Sequence, residues 1–583
     1  MLVVLFSWIV ILFVVLSFGD MFASLINNLC QKKEQYNFVD LYLLGTCFIA
    51  GILSVTSLWL PSNHYILFTF IAVAIVYWII NKDRFLSVRN RLSGFITSLS
   101  KRNLILIGIS VFALLIYMSW AAHVFDATFY HYQNIRWNEE FAVVPGLANI
   151  ESRFGFNSNF LLISSIFTFR FLFGEAIYTF QSVPVLLLML WIFAELIRSN
   201  FELKRIILLI LFFFFFAVNI DYITDSSTDI IPNVFVFYLV ARLVLYPDIF
   251  KSSTLLYFII PVSLFTFKVS SAPICIVSLG LLIHFIRSKE YKTIFVFVVL
   301  ALLIVLPWMA RTLIITGYVF YPLSAIDLFS FDWKLDKEVV DFESYGISVF
   351  ARGGFNDFVT FGYFRKWGFG TNKLFFMTVV IMVVMCLITI LSPFIIGYKH
   401  IKKKAISKSI GWMYAALLIY ILYWYALAPD FRFANGAFFG MTFLIVSLFI
   451  SEQKYYRKQA NVVILLFASL MLLTSFKRIF NYYQLLYPVS TKEGRTPFYS
   501  ALYMPYSSKD QAEARHIPQE YSEYEMGEIT LYITSDTLQG ICYDVLPATS
   551  LEPLKKHTRG PDISTIEARG STLQDGFRPK KQD

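Results

Sequence analysis

Apolar runs long enough to form helices follow one another along most of the chain, and they constrain its fold more than any other feature. They lie near residues 2–24, 41–60, 64–81, 103–122, 176–195, 206–219, 229–246, 254–267, 272–287, 293–309, 373–397, 411–428, 434–451 and 460–476. Soluble domains carry roughly 45–50% apolar and about 25% charged residues. This chain is 57% hydrophobic and 15% charged, too apolar for water. The sequence therefore predicts an all-α polytopic membrane protein of about 14 transmembrane helices. Met1 to Leu16 lacks the basic start of a signal peptide and is expected to be a retained helix.

Lys and Arg in short loops set the orientation, because they stay on the cytoplasmic side. Residues 81–102 hold Lys82, Arg84, Arg89, Arg91, Lys101 and Arg102 against Asp83 alone, and residues 398–408 hold five lysines and no acid. With Lys32 and Lys33 and the basic stretches 198–205, 287–292 and 454–458, these are assigned inside. The short turns 61–64 and 429–432, the acidic turn 221–229, and two long loops, 123–175 and 310–372, then fall outside. Residues 159–173 are apolar enough for a further span. A crossing there would turn every later basic loop outward, so an interfacial helix is expected instead. The same alternation places residues 477–583 outside, with 13 basic and 14 acidic residues. The formal charge of +10 thus belongs to the membrane part, and no nucleic-acid partner is needed. Three regions result: 1–102, three helices and a basic loop; 103–476, the main membrane domain; and 477–583. In the last, alternation over Glu528–Thr534 predicts a strand within a small α/β region.

Five cysteines, at 30, 47, 275, 386 and 542, give no disulfide framework or zinc spacing. No phosphate-binding glycine loop or internal repeat is visible, which argues against an ATP-driven machine and weakens an inverted-repeat transporter.

The first long loop carries Asp126, Tyr130, Gln133 and Trp137 at i, i+4, i+7 and i+11, one helical stripe with a carboxylate, two hydrogen-bonding groups and an aromatic plate. Such a set suits a sugar. On the residues alone, an interfacial helix that Asp126 caps and whose rings anchor in headgroups is the favoured reading. His131 lies off the stripe. Three cations fall at outer helix ends: Lys268, Arg311 and Arg432, the last beside Asp430. They could hold a phosphate or snorkel to headgroups. Asp221, Asp225 and Asp229 recur at four-residue steps, but Ser227-Thr228-Asp229 reads as a helix cap, so no metal or other cofactor is indicated. The second long loop mixes Tyr318, Tyr321 and Trp333 with the Gly-rich piece 352–354, which suits a gate and suits a plain surface loop as well.

An early external carboxylate, interfacial helices, further spans and an external C-terminal region together resemble the GT-C superfamily of polyprenyl-phosphate-sugar glycosyltransferases. The ordered groups Asp126/Tyr130/His131/Gln133, Gly155/Asn157/Ser158, Pro307/Trp308/Arg311, Gly317/Tyr318, Tyr321/Pro322, Asp332/Trp333/Lys334 and Ala428/Pro429/Asp430/Arg432/Phe433 are more closely similar to an uncharacterised family of bacterial membrane proteins linked to surface polysaccharide. The likeness runs from about residue 103 to the C-terminus. It departs where many superfamily members have paired acids, since Ala127 follows Asp126. It departs again in the tail, where Ala548 stands in place of a second cysteine and leaves Cys542 without a local disulfide partner.

The resemblance implies Asp126 as the base, and Tyr130, His131, Gln133, Trp137, Lys268, Arg311, Tyr321, Asp430 and Arg432 as substrate contacts. It implies a polyprenyl-phosphate-linked sugar donor, a glycan or lipid-linked acceptor, and a place in the bacterial inner membrane among its lipids. For Asp126, desolvation would have to raise a reference pKa of about 3.9. A lipid-saccharide flippase and a surface-polysaccharide polymerase are the alternatives. Reporter tags at Ser87 and Lys404 are expected to read cytoplasmic, and tags at Gly354 and after Arg495 external. External labelling at Lys404 would overturn the topology.

Overall fold

The computed structural model describes residues 1–119, 126–248, 250, 252–360, 373–401, 406–450, 457–492, 502–504, 521–534, 542–550 and 566–580. In chain order its helices are α1 (Leu2–Cys30), α2 (Phe38–Thr56), α3 (His64–Ile80), α4 (Lys82–Ser98), α5 (Lys101–Met118), α6 (Tyr132–Glu140), α7 (Asn159–Ile166), α8 (Arg170–Phe173), α9 (Ser182–Arg198) and α10 (Leu203–Ile223). They continue with α11 (Ile230–Leu245), α12 (Thr254–Phe267), α13 (Ile276–Ser288), α14 (Tyr291–Thr316), α15 (Lys337–Val359), α16 (Lys373–Ile401), α17 (Lys408–Leu427), α18 (Asn435–Ser447) and α19 (Arg457–Lys492).

The protein is a helical, multi-pass membrane protein with a small C-terminal strand region. Each of the fourteen apolar runs contains a helix, but by length and composition eight of the described helices can cross a membrane, or nine if α3 and the first part of α4, bent by 92°, are one span. The difference has a packing cause. The apolar helices α11, α12 and α18 are 16, 14 and 13 residues long and almost wholly buried, so other helices, rather than lipid, surround them. Residues 159–173 are too short to count among the candidate spans and break into α7 and α8, with Phe169 at φ 53°. All eight residues of α7 are buried against other parts of the protein, whereas α8 has no buried residue. Helix α19 also runs through the expected boundary at residue 477, as far as Lys492.

Loops assigned by charge to one side meet one another. At one end, Lys32 pairs with Glu290 at 3.3 Å, Arg242 donates to both oxygens of buried Asp40 at 3.0 and 3.1 Å, and Tyr246 donates to Glu195 at 2.8 Å. Asn37 and Asp40 form a capping box that starts α2 there. At the other end, Ser62 N–H donates to Asn138 O at 2.7 Å, Ser158 to Phe267 O at 2.6 Å, and Asn233 to Arg432 O at 2.7 Å.

The strands close this second end. β1 (Tyr521–Met526) pairs antiparallel with β2 (Ile529–Thr534), and β3 (Ala548–Ser550) lies parallel to β2. β4 (Ile566–Ala568) and β5 (Phe577–Pro579) form a separate antiparallel pair. Phe577 is fully buried and its N–H donates to Pro145 O at 3.0 Å, while Arg569 reaches Asp332 at 3.0 Å. Residues 551–565, with Arg559 and Gly560, lie outside the described residues.

Helices α1 and α2 touch through backbone. A Cβ on Gly45 would stand 1.9 Å from Val15 O, and one on Gly19 1.9 Å from Leu41 O. Small residues permit such contacts in membranes, where helix pairs are held by packing rather than by hydrophobic exclusion. Gly45→Ala is therefore expected to destabilise the protein by at least about 1–3 kcal/mol, read as a fall in Tm of the detergent-solubilised chain. Gly108→Ala, where nothing lies within 4 Å, should leave Tm unchanged or slightly higher.

Candidate active site

The loops of the second end enclose a cavity of about 1000 Å³. Its entry from the first long loop is a π turn, Ala127–His131, directly before α6. Asp126 precedes that turn without capping it and points its carboxylate to Arg432, whose Nη1 donates to Oδ2 at 2.9 Å. The wide turn adds a residue to the helical register and so rotates the residues after it by about 100°. Here the expected stripe breaks: Asp126, Tyr130 and His131 line the cavity, whereas Gln133 and Trp137 turn away. Trp137, 3% exposed, packs between Phe141 and Phe577, and Gln133 is buried beside Cys542. The sequence could not show this, because a π turn carries no residue signature of its own.

Further contacts hold the turn, the start of α6 and the C-terminal segment together. Tyr543 N–H donates to Thr128 O at 3.0 Å, Tyr132 stacks on Tyr178 at 4.1 Å, the Tyr132 hydroxyl bonds the Asp225 carboxylate, and Asp544 pairs with Arg170 at 2.6 Å. The C-terminal segment thus braces the carboxylate-bearing turn. Cys542 and the other four cysteines are free thiols.

Arg432 stands in the 3-10 turn Phe431–Phe433 between α17 and α18. Gly436 sets its depth: a Cβ there would lie 2.2 Å from Asn233 O, so α18 starts in backbone contact with α11. The guanidinium faces three carboxylates, with Asp126 and Asp430 each at 2.9 Å and Asp229 at 3.9 Å. Asp229 also pairs with Lys268, whose ammonium lies 3.8 Å from the centre of the Phe433 ring. The expected cap Ser227-Thr228-Asp229 is therefore corrected: the Asp229 side chain leaves the helix start for the two cations, which cancel more charge than the N–H groups of a helix end.

Lys268, Tyr321 and Arg432 join Asp126, Tyr130 and His131 on the cavity wall. Asp430 adjoins through Arg432. Arg311 does not reach it. It is 3% exposed and donates to Asn157 Oδ1 at 3.1 Å and Asn138 Oδ1 at 2.9 Å, tying the first long loop to α14. Wall residues that were not foreseen include Arg153 from the turn Ser152–Phe156, Tyr222 from α10, Glu343 from α15, and Tyr420 and Trp424 from α17. Helix α15 also takes in Arg352-Gly-Gly354, so that piece is helical and not an irregular gate; residues 361–372 lie outside the described ones.

Burial pushes the Asp126 carboxyl up, but Arg432 and Arg153 outweigh it, and the group stays below its ordinary value. The rise expected for a base is thus reversed as long as the ion pair to Arg432 stands. Burial takes His131 down to about 4, despite Asp126, so the imidazole is neutral near pH 7. Among the described residues no group of three or more His, Cys, Asp or Glu side chains could hold a metal ion.

The family model described as a domain of unknown function, DUF8201, matches residues 1–439, and the chain belongs to that family. The match takes in the first three helices together with Asp126, Asp229, Lys268 and Arg432, and stops before α19 and the strands. No curated protein and no solved structure matches the chain.

A buried neutral His disfavours the folded state once the unfolded chain can protonate it. The pKa is lowered on folding, so the penalty is absent above pH 6.5 and grows as pH falls from 6.5 towards about 4. His131→Gln should therefore flatten the Tm–pH curve of the solubilised protein between pH 6.5 and 4. Parallel curves for the two proteins would show that His131 is not buried neutral.

Proposed function

We propose that the protein is a glycosyltransferase of GT-C type that moves a sugar from a polyprenyl-phosphate donor to a surface-glycan or lipid-linked acceptor at the external face of a bacterial inner membrane. The observation that carries this reading is the Asp126–Arg432 pair on the wall of a cavity that also holds Lys268 and several tyrosines. Transfer breaks the bond from the anomeric carbon to the phosphate oxygen, and forms one from the acceptor oxygen to the same carbon. The acceptor proton goes to a base, and the bonding electrons leave with the phosphate.

Each need has a group in the cavity. Asp126 is the base. Arg432 and Lys268 receive the phosphate, competing with Asp126 and Asp229 for their charge. As phosphate takes over Arg432, the restraint on Asp126 is lifted and burial raises its basicity, so donor binding switches the base on. Tyr321, Tyr420 and Trp424 supply flat faces for sugar and isoprenoid. Gln133, Trp137 and Arg311 support the wall from behind.

Asp126→Asn keeps the shape and most of the hydrogen bonding but cannot take a proton. Purified protein given polyprenyl-phosphate sugars should release lipid phosphate about a hundredfold to ten-thousandfold more slowly in this variant, with donor binding retained. Cargo movement without any release of lipid phosphate, in wild type and variant alike, would instead identify a flippase. Release at the wild-type rate would remove Asp126 as base.

A further inference from the structure

Beside the Arg432 network, the same cavity holds polar side chains whose hydrogen-bonding capacity is unused. Arg153 sits on its wall with a side chain 11% exposed. The guanidinium lies over the Phe129 ring at 4.7 Å and near Tyr130 at 5.8 Å. Its closest carboxylate, Glu343, is 3.7 Å away, and Nη1 is buried with no hydrogen-bond partner among the described residues. Both ring nitrogens of His131, 2% exposed, are likewise buried and unpartnered among the described residues. Buried donors of this kind are costly unless something accepts from them.

The positive charge here is already more than countered, since one guanidinium faces two carboxylates. Glu343, 6% exposed and held by Ser152 at 2.9 Å, and Glu151 both lie close enough to act on Arg153. An anionic ligand would meet two carboxylates. What is missing is neutral oxygen: an acceptor for Arg153 Nη1, and groups that both give and accept for a neutral imidazole. Vicinal sugar hydroxyls are that set. Flat surfaces stand beside it, with Tyr130 and Phe156 at 6.1 Å and Phe156 and Tyr321 at 5.7 Å between ring centres.

We infer that Arg153, Glu343 and His131, walled by Tyr130, Phe156 and Tyr321, form a second subsite that binds an uncharged sugar ring and rejects acidic sugars. The inference rests on the transferase reading only for the ring's role, which would be that of the acceptor sugar. Binding itself can be tested without any transfer.

The full chain in lipid nanodiscs, free of sugar-based detergent, is titrated with the methyl glycosides of glucose, galactose, mannose and N-acetylglucosamine, and with methyl glucuronide, by saturation-transfer NMR. At least one neutral glycoside should bind and the glucuronide should not. Arg153→Gln should weaken neutral binding about tenfold or more. Glu343→Gln, which removes the repelling charge, should admit the glucuronide, a gain that misfolding cannot imitate. Wild-type binding of the glucuronide in preference to every neutral glycoside, no binding of any glycoside, or a Glu343→Gln protein that still excludes the glucuronide would overturn the subsite. If these results hold and Asp126→Asn still transfers at the wild-type rate, the subsite stands and the assignment of the base falls.

Discussion

Arg432 holds the cavity end together. Its guanidinium gathers Asp126 from the loop after α5, Asp229 from the turn before α11 and Asp430 from its own turn, and through Asp229 it reaches Lys268 at the end of α12. Asp126 and Arg432 are hundreds of positions apart in the chain. A guanidinium stays charged and offers a planar fork of donors, which suits it to face several carboxylates at once. Without it three acids would be left facing one cavity, and their repulsion would push apart the helix ends that carry them.

That arrangement explains why so many polar groups are buried in a protein otherwise built from apolar helices. Arg311 fastens the first long loop to α14 through Asn138 and Asn157, and Asn233 fastens the Arg432 turn to α11. Each interaction ties a loop to a helix end, where backbone groups already need partners. Outward from these ties, the strand region packs Phe577, Tyr543 and Asp544 against the first loop. The carboxylate is therefore set by two structures: the membrane helices behind it and the C-terminal segment in front.

Within the cavity the two polar groups differ in kind. The Arg432 group is an ion-pair network of two cations and three carboxylates. Around Arg153 one guanidinium faces two carboxylates, and its Nη1 and both ring nitrogens of His131 make no hydrogen bond among the described residues.

Much of this was determined by the sequence alone. Apolar runs fixed the helices, because helix is the way a segment in lipid satisfies its own backbone. Basic loops fixed which connections share an end, and the contacts Lys32–Glu290 and Ser62–Asn138 agree with that grouping. Asp126, Tyr130, His131, Lys268, Tyr321 and Arg432 were legible as polar or aromatic residues at the ends of such helices, and they meet. Tertiary structure decided the rest. The π turn carried Gln133 and Trp137 off the expected stripe, packing buried α7, Arg311 was enclosed by two asparagines, and Asp229 exchanged a helix cap for Lys268 and Arg432. Local spacing gives the face a residue occupies only while the helix keeps one period, and it gives nothing about a charge whose partner comes from another part of the chain. Arg153 and Glu343 became visible as a pair only when the turn after α6 and helix α15 were brought to the same wall.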